Sequence, residues 1–170
     1  MIGAPVRRER WYTQIAPTAT VLGAVLLDLL WVPVPGFNAV APAFPVMAVY
    51  CWAIWRPESL PYTGVFVAGL LEDLIRGTPL GGGALALLAV QGFVWAQQRL
   101  LRSRSFEVLW FGFALTSLIA AIVTWGAIAF AYRTPLSPWP GAMQYVLTVA
   151  TFPALAFLLM RIERGLPRLA

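Results

Sequence analysis

The sequence predicts an all-α integral membrane protein, a six-transmembrane helical bundle forming one domain over residues 1–170. Three observations predict it. The chain is 60% hydrophobic and 11% charged, with a mean hydropathy of +0.76, whereas soluble domains carry about 25% charged residues. Apolar runs recur at lengths of about 17–25 residues, enough to cross a hydrocarbon core about 30 Å thick. The arginines, finally, are distributed unevenly between the two sets of loops that such crossings create.

The first span is expected at roughly 13–32, after the basic stretch "RRER" and before the turn "PVPGF" at 33–37. The second covers roughly 38–55 and ends at "RPES", 56–59. The third, 60–76, runs into "RGTP" at 76–79, and the fourth, 80–98, into the basic loop "QRLLRSRSFE" at 98–107. The fifth covers 108–132 and is closed by "RTPLSPWP" at 133–140; the sixth covers 141–160. Proline and glycine in these connections mark turns. Pro42 and Pro45 in the second span and Pro153 in the sixth are expected to kink their helices. Membrane helices tolerate such breaks where neighbours satisfy the freed carbonyls.

Six crossings put both termini on one side, together with Arg7, Arg8, Arg10, Arg56, Arg99, Arg102, Arg104, Arg161, Arg164 and Arg168. Arg76 and Arg133 alone fall on the other. By the positive-inside rule the termini are then cytoplasmic, and five crossings would spoil this agreement. The net charge of +5 is therefore read as topology, with no nucleic-acid partner. A cleavable secretory signal is the alternative for the N-terminus, with "AVA" at 39–41 as its cleavage site. The apolar run exceeds the usual 7–15 residues of such a signal and contains Asp28, so the first span is expected to be retained.

Several chemistries are excluded by composition. The chain has no histidine and no lysine, and its one cysteine, Cys51, lies in an apolar run. Histidine-based acid–base pairs, Schiff-base lysines, internal disulfides and the usual zinc clusters fall away. Cys51 reads as a small buried apolar residue. Catalytic residues, metal ligands and cofactors are expected to be none. Trp11, Tyr12, Trp31, Trp52, Trp55, Tyr62, Trp110, Tyr132 and Trp139 fall mostly near span ends, as an interfacial aromatic belt requires. The loop "RLLRSRS" reads as a topology determinant that can also meet anionic membrane lipid.

The stretch "GLLEDLIRGTPLGGG" at 69–83 is the chemically richest part of the chain. Glu72 and Asp73 lie four and three residues before Arg76, so both can face it on a helix. A carboxylate near a helix C-terminus opposes the macrodipole, and a nearby cation offsets it. Gly77 suits the left-handed residue ending a helix. Thr78 suits an N-cap and Pro79 the first turn of the next helix. The glycines at 81–83 fit either a tight turn or close helix approach. Asp28 lies about 6 Å below the outer end of the first span and needs a partner, with Arg76 and Arg133 as candidates. Asp28, Asp73, Arg76, Gly77, Pro79 and Gly81 are the candidate site residues. They form an outer-face cluster that either registers the helices or contacts a partner or solute. Glu72 and Asp73 are adjacent and point about 100° apart on a helix, a poor arrangement for an acid–base pair acting on lipid.

Gly69, Leu70, Asp73, Leu74, Gly77, Leu80 and Gly81 resemble the core pattern of the bacterial rod shape-determining protein MreD family. Pro45, Tyr50, Trp52 and Pro57 look like that family's second span and its exit, and "FPALAFLLMRIERGL" like its last span and basic tail. Glu72 beside Asp73 departs from the pattern. The resemblance implies a non-enzymatic inner-membrane scaffold of the elongasome, controlling peptidoglycan synthesis and rod shape. It implies MreC as a direct partner, with MreB, RodA and a penicillin-binding transpeptidase in the same complex. It also implies a fold similar to the substrate-binding (S) subunit of energy-coupling-factor transporters, so a solute-binding subunit of a vitamin-type transporter is the second expectation.

Overall fold

A computed structural model describes the backbone of residues 6–30, 41–101, 105–133 and 137–164, and side chains within 16–28, 41–98, 105–133 and 137–162. The expected turn at 33–37, Trp31, Arg102, Arg104 and Arg168 lie outside the described residues. So do the side chains of Arg7, Arg8, Arg10, Trp11, Tyr12, Arg99 and Arg164.

Among the described residues the elements are helical throughout: α1 (Val6–Leu30), α2 (Phe44–Trp55), a 3-10 turn (Pro57–Ser59), α3 (Tyr62–Arg76), α4 (Gly82–Leu101), α5 (Phe106–Tyr132) and α6 (Trp139–Arg164). Over Phe106–Tyr132 and Trp139–Ile162, α5 and α6 are each long and apolar enough to cross a membrane. The chain is thus a membrane protein with at least two apolar helices of spanning length.

The shortest α-helix lies at the centre. Every residue of α2 from Phe44 to Ile54 is buried, and α2 packs against α1, α4, α5 and α6. Its sequence, "FPVMAVYCWAIW", is apolar on all sides, as a helix surrounded by other helices requires. Tyr50 anchors it. The ring meets Phe113 of α5 and Phe152 of α6 edge-on at centroid distances of 5.2 and 5.7 Å, while those two rings stack at 3.9 Å. The Tyr50 hydroxyl donates to the Leu109 carbonyl at 2.8 Å, so its polar end is satisfied inside the apolar cluster. Cys51 is buried and unbridged beside it.

The prolines behave in two ways. Pro42 precedes α2, and Pro45 sits in its first turn, where a missing N–H costs nothing and the fixed φ favours helix entry. They start the helix, contrary to the expected kink. Pro153 does lie inside α6. Lacking an N–H, it leaves the carbonyl four residues back without its helical donor. That carbonyl, Val149, accepts instead from Trp110 Nε1 of α5 at 3.1 Å. Trp110 therefore has an intramolecular task beyond the expected belt. Trp52 departs from the belt altogether, being fully buried; its place on the all-apolar central helix explains why. Tyr62, Tyr132 and Trp139 are exposed, as a belt position requires.

Helices α3 and α4 approach closely at Gly69. A Cβ on Gly69 would fall inside contact distance of the Ala84 Cα and lie 2.7 Å from its N. Backbone meets backbone there, the arrangement that small residues allow in membrane bundles. Gly69→Ala should therefore lower stability by about 1–3 kcal/mol through overpacking, read as a fall in the thermal midpoint of the detergent-solubilised protein. A variant that melts with the parent would contradict this packing.

Candidate functional site

The C-terminal ends of α1, α3 and α5 meet the N-terminal ends of α2, α4 and α6 around one cavity of about 540 Å³. Asp28, Glu72, Asp73 and Arg76 from α1 and α3 line it together with Ser117, Thr124, Gln144, Tyr145 and Thr148 from α5 and α6.

Asp73 organises the corner between α3 and α4. Helix α3 ends at Gly77, whose left-handed φ of 65° suits a residue without Cβ. The N–H groups of Gly77 and Thr78 both donate to the Asp73 carbonyl, the latter at 3.1 Å. The side chain of the same residue reaches forward over the turn. Its Oδ2 accepts from the Gly81 N–H at 2.8 Å, and its Oδ1 accepts from the Gly83 N–H at 2.9 Å and the Thr78 hydroxyl at 3.0 Å. The carboxylate thus does for α4 what an N-cap side chain does, satisfying amides that have no intrahelical partner. It does so from the preceding helix. Gly81, at φ 102°, makes the turn sterically possible, and a Cβ on Gly83 would stand 2.6 Å from Asp73 Oδ1.

This revises the expected cap. Thr78 is not the N-cap of α4, and Pro79 is not in its first turn. The helix starts at Gly82, and the Pro79 carbonyl instead accepts the Gly82 N–H at 3.3 Å. The glycines leave the start of α4 open to a larger acceptor, which Asp73 supplies.

Arg76 takes the other two acids. Its Nη1 donates to Glu72 Oε1 at 2.9 Å, one helical turn back, and its Nη2 donates to Asp28 Oδ2 on α1. Of the two candidate partners for Asp28, the structure selects Arg76. Asp73, also expected to face Arg76, turns to the amides instead. The two paired carboxylates are nearly closed off, at 4% and 7% side-chain exposure, and Arg76 is at 29%. Their second oxygens, Asp28 Oδ1 and Glu72 Oε2, are buried without a hydrogen-bond partner among the described residues. Two carboxylates share one guanidinium, so the trio carries one uncompensated negative charge when both are ionised.

Polar links that the sequence did not single out fasten the rest of the bundle. Gln91 donates to the Leu60 carbonyl and Gln98 to the Ala53 carbonyl, at 2.8 and 2.9 Å. Thr148 on α6 accepts the Ala43 N–H at 3.0 Å, tying the residue before α2 to α6. The signal was present: an amide or hydroxyl within an apolar run needs a partner in the membrane.

The family model of the rod shape-determining protein MreD matches residues 9–162. The chain belongs to the MreD family. It is also similar to the rod shape-determining protein MreD of Haemophilus influenzae, 28% identical over 143 residues that cover 83% of this chain and 86% of that protein. No solved structure gives a significant match. Membership makes this a non-catalytic rod shape-determining membrane protein, of a family set in the inner membrane and the elongasome. Of the residues carrying the resemblance, Gly69, Asp73, Gly77 and Gly81 are those that build the α3–α4 corner, whereas Leu74 and Leu80 are exposed.

The ion trio makes a stability prediction. Removing the cation from two buried carboxylates, Arg76→Ala, should cost about 3–5 kcal/mol, because the uncompensated charges remain. Neutralising all three, Asp28→Asn with Glu72→Gln and Arg76→Met, should recover most of that loss in thermal melts. A triple variant as unstable as the single one would contradict charge burial as the cause.

Proposed function

We propose that this chain is an inner-membrane scaffold of the elongasome that crosses the membrane six times, keeps both termini in the cytoplasm and binds MreC directly. Through that contact it helps to control peptidoglycan synthesis and rod shape, alongside MreB, RodA and the penicillin-binding transpeptidase. The observation that carries the reading is the family match over residues 9–162.

The geometry supports it in two ways. Alternate helix ends gather at the charged cavity, the arrangement an antiparallel bundle gives, and the positive-inside rule sets that end at the periplasmic face. Helices α5 and α6 are the least covered by the rest of the chain: Phe111, Phe130, Val146, Phe157 and Leu158 are all exposed. A partner with one membrane helix has an apolar face available along them. The α3–α4 corner meets α5 where Gly82 approaches Ala127 and ties helix ends together there, so Asp28, Asp73, Arg76, Gly77, Pro79 and Gly81 are the residues on which docking depends.

The polar cavity is the feature that favours the second reading, a solute-binding transporter subunit with the S-subunit fold. Purification separates the two: MreC recovered with the chain supports the scaffold, and a vitamin retained by it supports the transporter.

Asp73→Ala and Arg76→Ala, each as the sole chromosomal copy, should reduce MreC recovery from solubilised membranes and convert rods toward spheres at matched membrane abundance. Normal rods with undiminished MreC in both variants would contradict the role of this corner. Tags at either terminus should be accessible only from the cytoplasm; periplasmic exposure would contradict the layout.

A further inference from the structure

The cavity beside the ion trio has the size of a ligand site, about 540 Å³ within the usual 300–1,000 Å³, and its chemistry is specific. Asp73 is already saturated by Gly81, Gly83 and Thr78. Asp28 and Glu72 are not: each spends one oxygen on Arg76 and holds a second that is buried without a hydrogen-bond partner among the described residues, and both residues line the cavity. A carboxyl group turns easily about its terminal torsion, and such a rotation would bring a free oxygen to the cavity. The rest of the lining includes Ser117, Thr124, Gln144 and Tyr145 along with the apolar residues Ala120, Ala121, Trp125 and Ile128.

We propose that this cavity binds a monocationic primary amine carried on an apolar body, its ammonium group held between Asp28 and Glu72. The charge selects a cation. Asp28, Glu72 and Asp73 line the cavity with one guanidinium, that of Arg76, among them, so this wall is net negative. The donor count selects the group. An ammonium has three N–H donors, enough for the two free carboxyl oxygens and one hydroxyl or amide oxygen from the rest of the lining. A divalent metal wants about six or more oxygens, and no metal-holding group of three acidic, histidine or cysteine residues occurs among the described residues. The apolar remainder of the lining takes the body of the ligand. This inference goes beyond the scaffold reading and holds whether or not MreC docks.

Such an amine has two sources, an aminophospholipid headgroup and a free small molecule, and the test distinguishes them. The full chain, purified in maltoside detergent, is titrated with hexylamine, hexanol, phosphatidylethanolamine and phosphatidylcholine, and binding is read by native mass spectrometry and thermal shift. One or both primary amines should bind and raise the melting temperature, whereas hexanol and phosphatidylcholine should not. Phosphatidylethanolamine alone assigns the lipid source; hexylamine binding assigns a free amine. Asp28→Asn and Glu72→Gln should each weaken the amine by about tenfold or more, as loss of a charge-assisted hydrogen bond implies. Ala121→Phe, which fills the cavity and leaves the ion trio untouched, should abolish binding even if the charge variants fail to fold. Hexanol binding as well as hexylamine, phosphatidylcholine binding as well as phosphatidylethanolamine, neither amine binding, or Ala121→Phe binding like the parent would each overturn the site.

Discussion

The carboxylate of Asp73 against the first amides of α4 is the contact on which the rest of this corner depends. A helix begins with four N–H groups that have no intrahelical acceptor. Within or near a hydrocarbon core little water is present to replace one. The start of α4 is Gly81-Gly82-Gly83, which has no side chain of its own to offer. Asp73 supplies the acceptor from the end of α3, and the positive end of the α4 dipole in turn favours its negative charge. The glycines are required on both counts: Gly81 for its backbone angle, and Gly83 because the carboxylate occupies the space of a Cβ.

That one contact assigns the neighbouring charges. With Asp73 committed to α4, Arg76 is left to Glu72 on its own helix and to Asp28 on α1. Three helices are thereby joined at one end: α3 to α4 through a carboxylate and amides, and α1 to α3 through a guanidinium. Gly69 against Ala84 brings the α3 and α4 backbones together, which lets the short reach of an aspartate bridge the turn. Glutamate at 73 would be a methylene too long for the same geometry, so the adjacent acids Glu72 and Asp73 differ in length as they differ in task.

The all-helical content and the six helices were legible because apolar periodicity and proline–glycine punctuation are local signals. Gly77 as a helix terminator was legible for the same reason. The cap of α4 was not. Local rules favour Thr78 and Pro79 for that place, and only tertiary approach of α3 and α4 hands the role to Asp73. The choice of Arg76 over Arg133 for Asp28 is likewise a fact of packing between elements 48 residues apart in sequence. Trp52 looked interfacial from its position near a helix end, yet it lies on the central, all-apolar helix and is buried by the helices packed around it. Pro153 was legible as a break, but the donor that compensates it, Trp110, belongs to another helix.

The most direct measurement of the central claim is amide hydrogen exchange at Gly81 and Gly83 in the membrane-embedded protein, compared between the parent and Asp73→Ala. Slow exchange in the parent and loss of protection at these two amides in the variant, with the middle of α4 still protected, is the predicted result. Equal exchange in the two proteins would contradict the account, because the start of α4 would then be held by something other than Asp73.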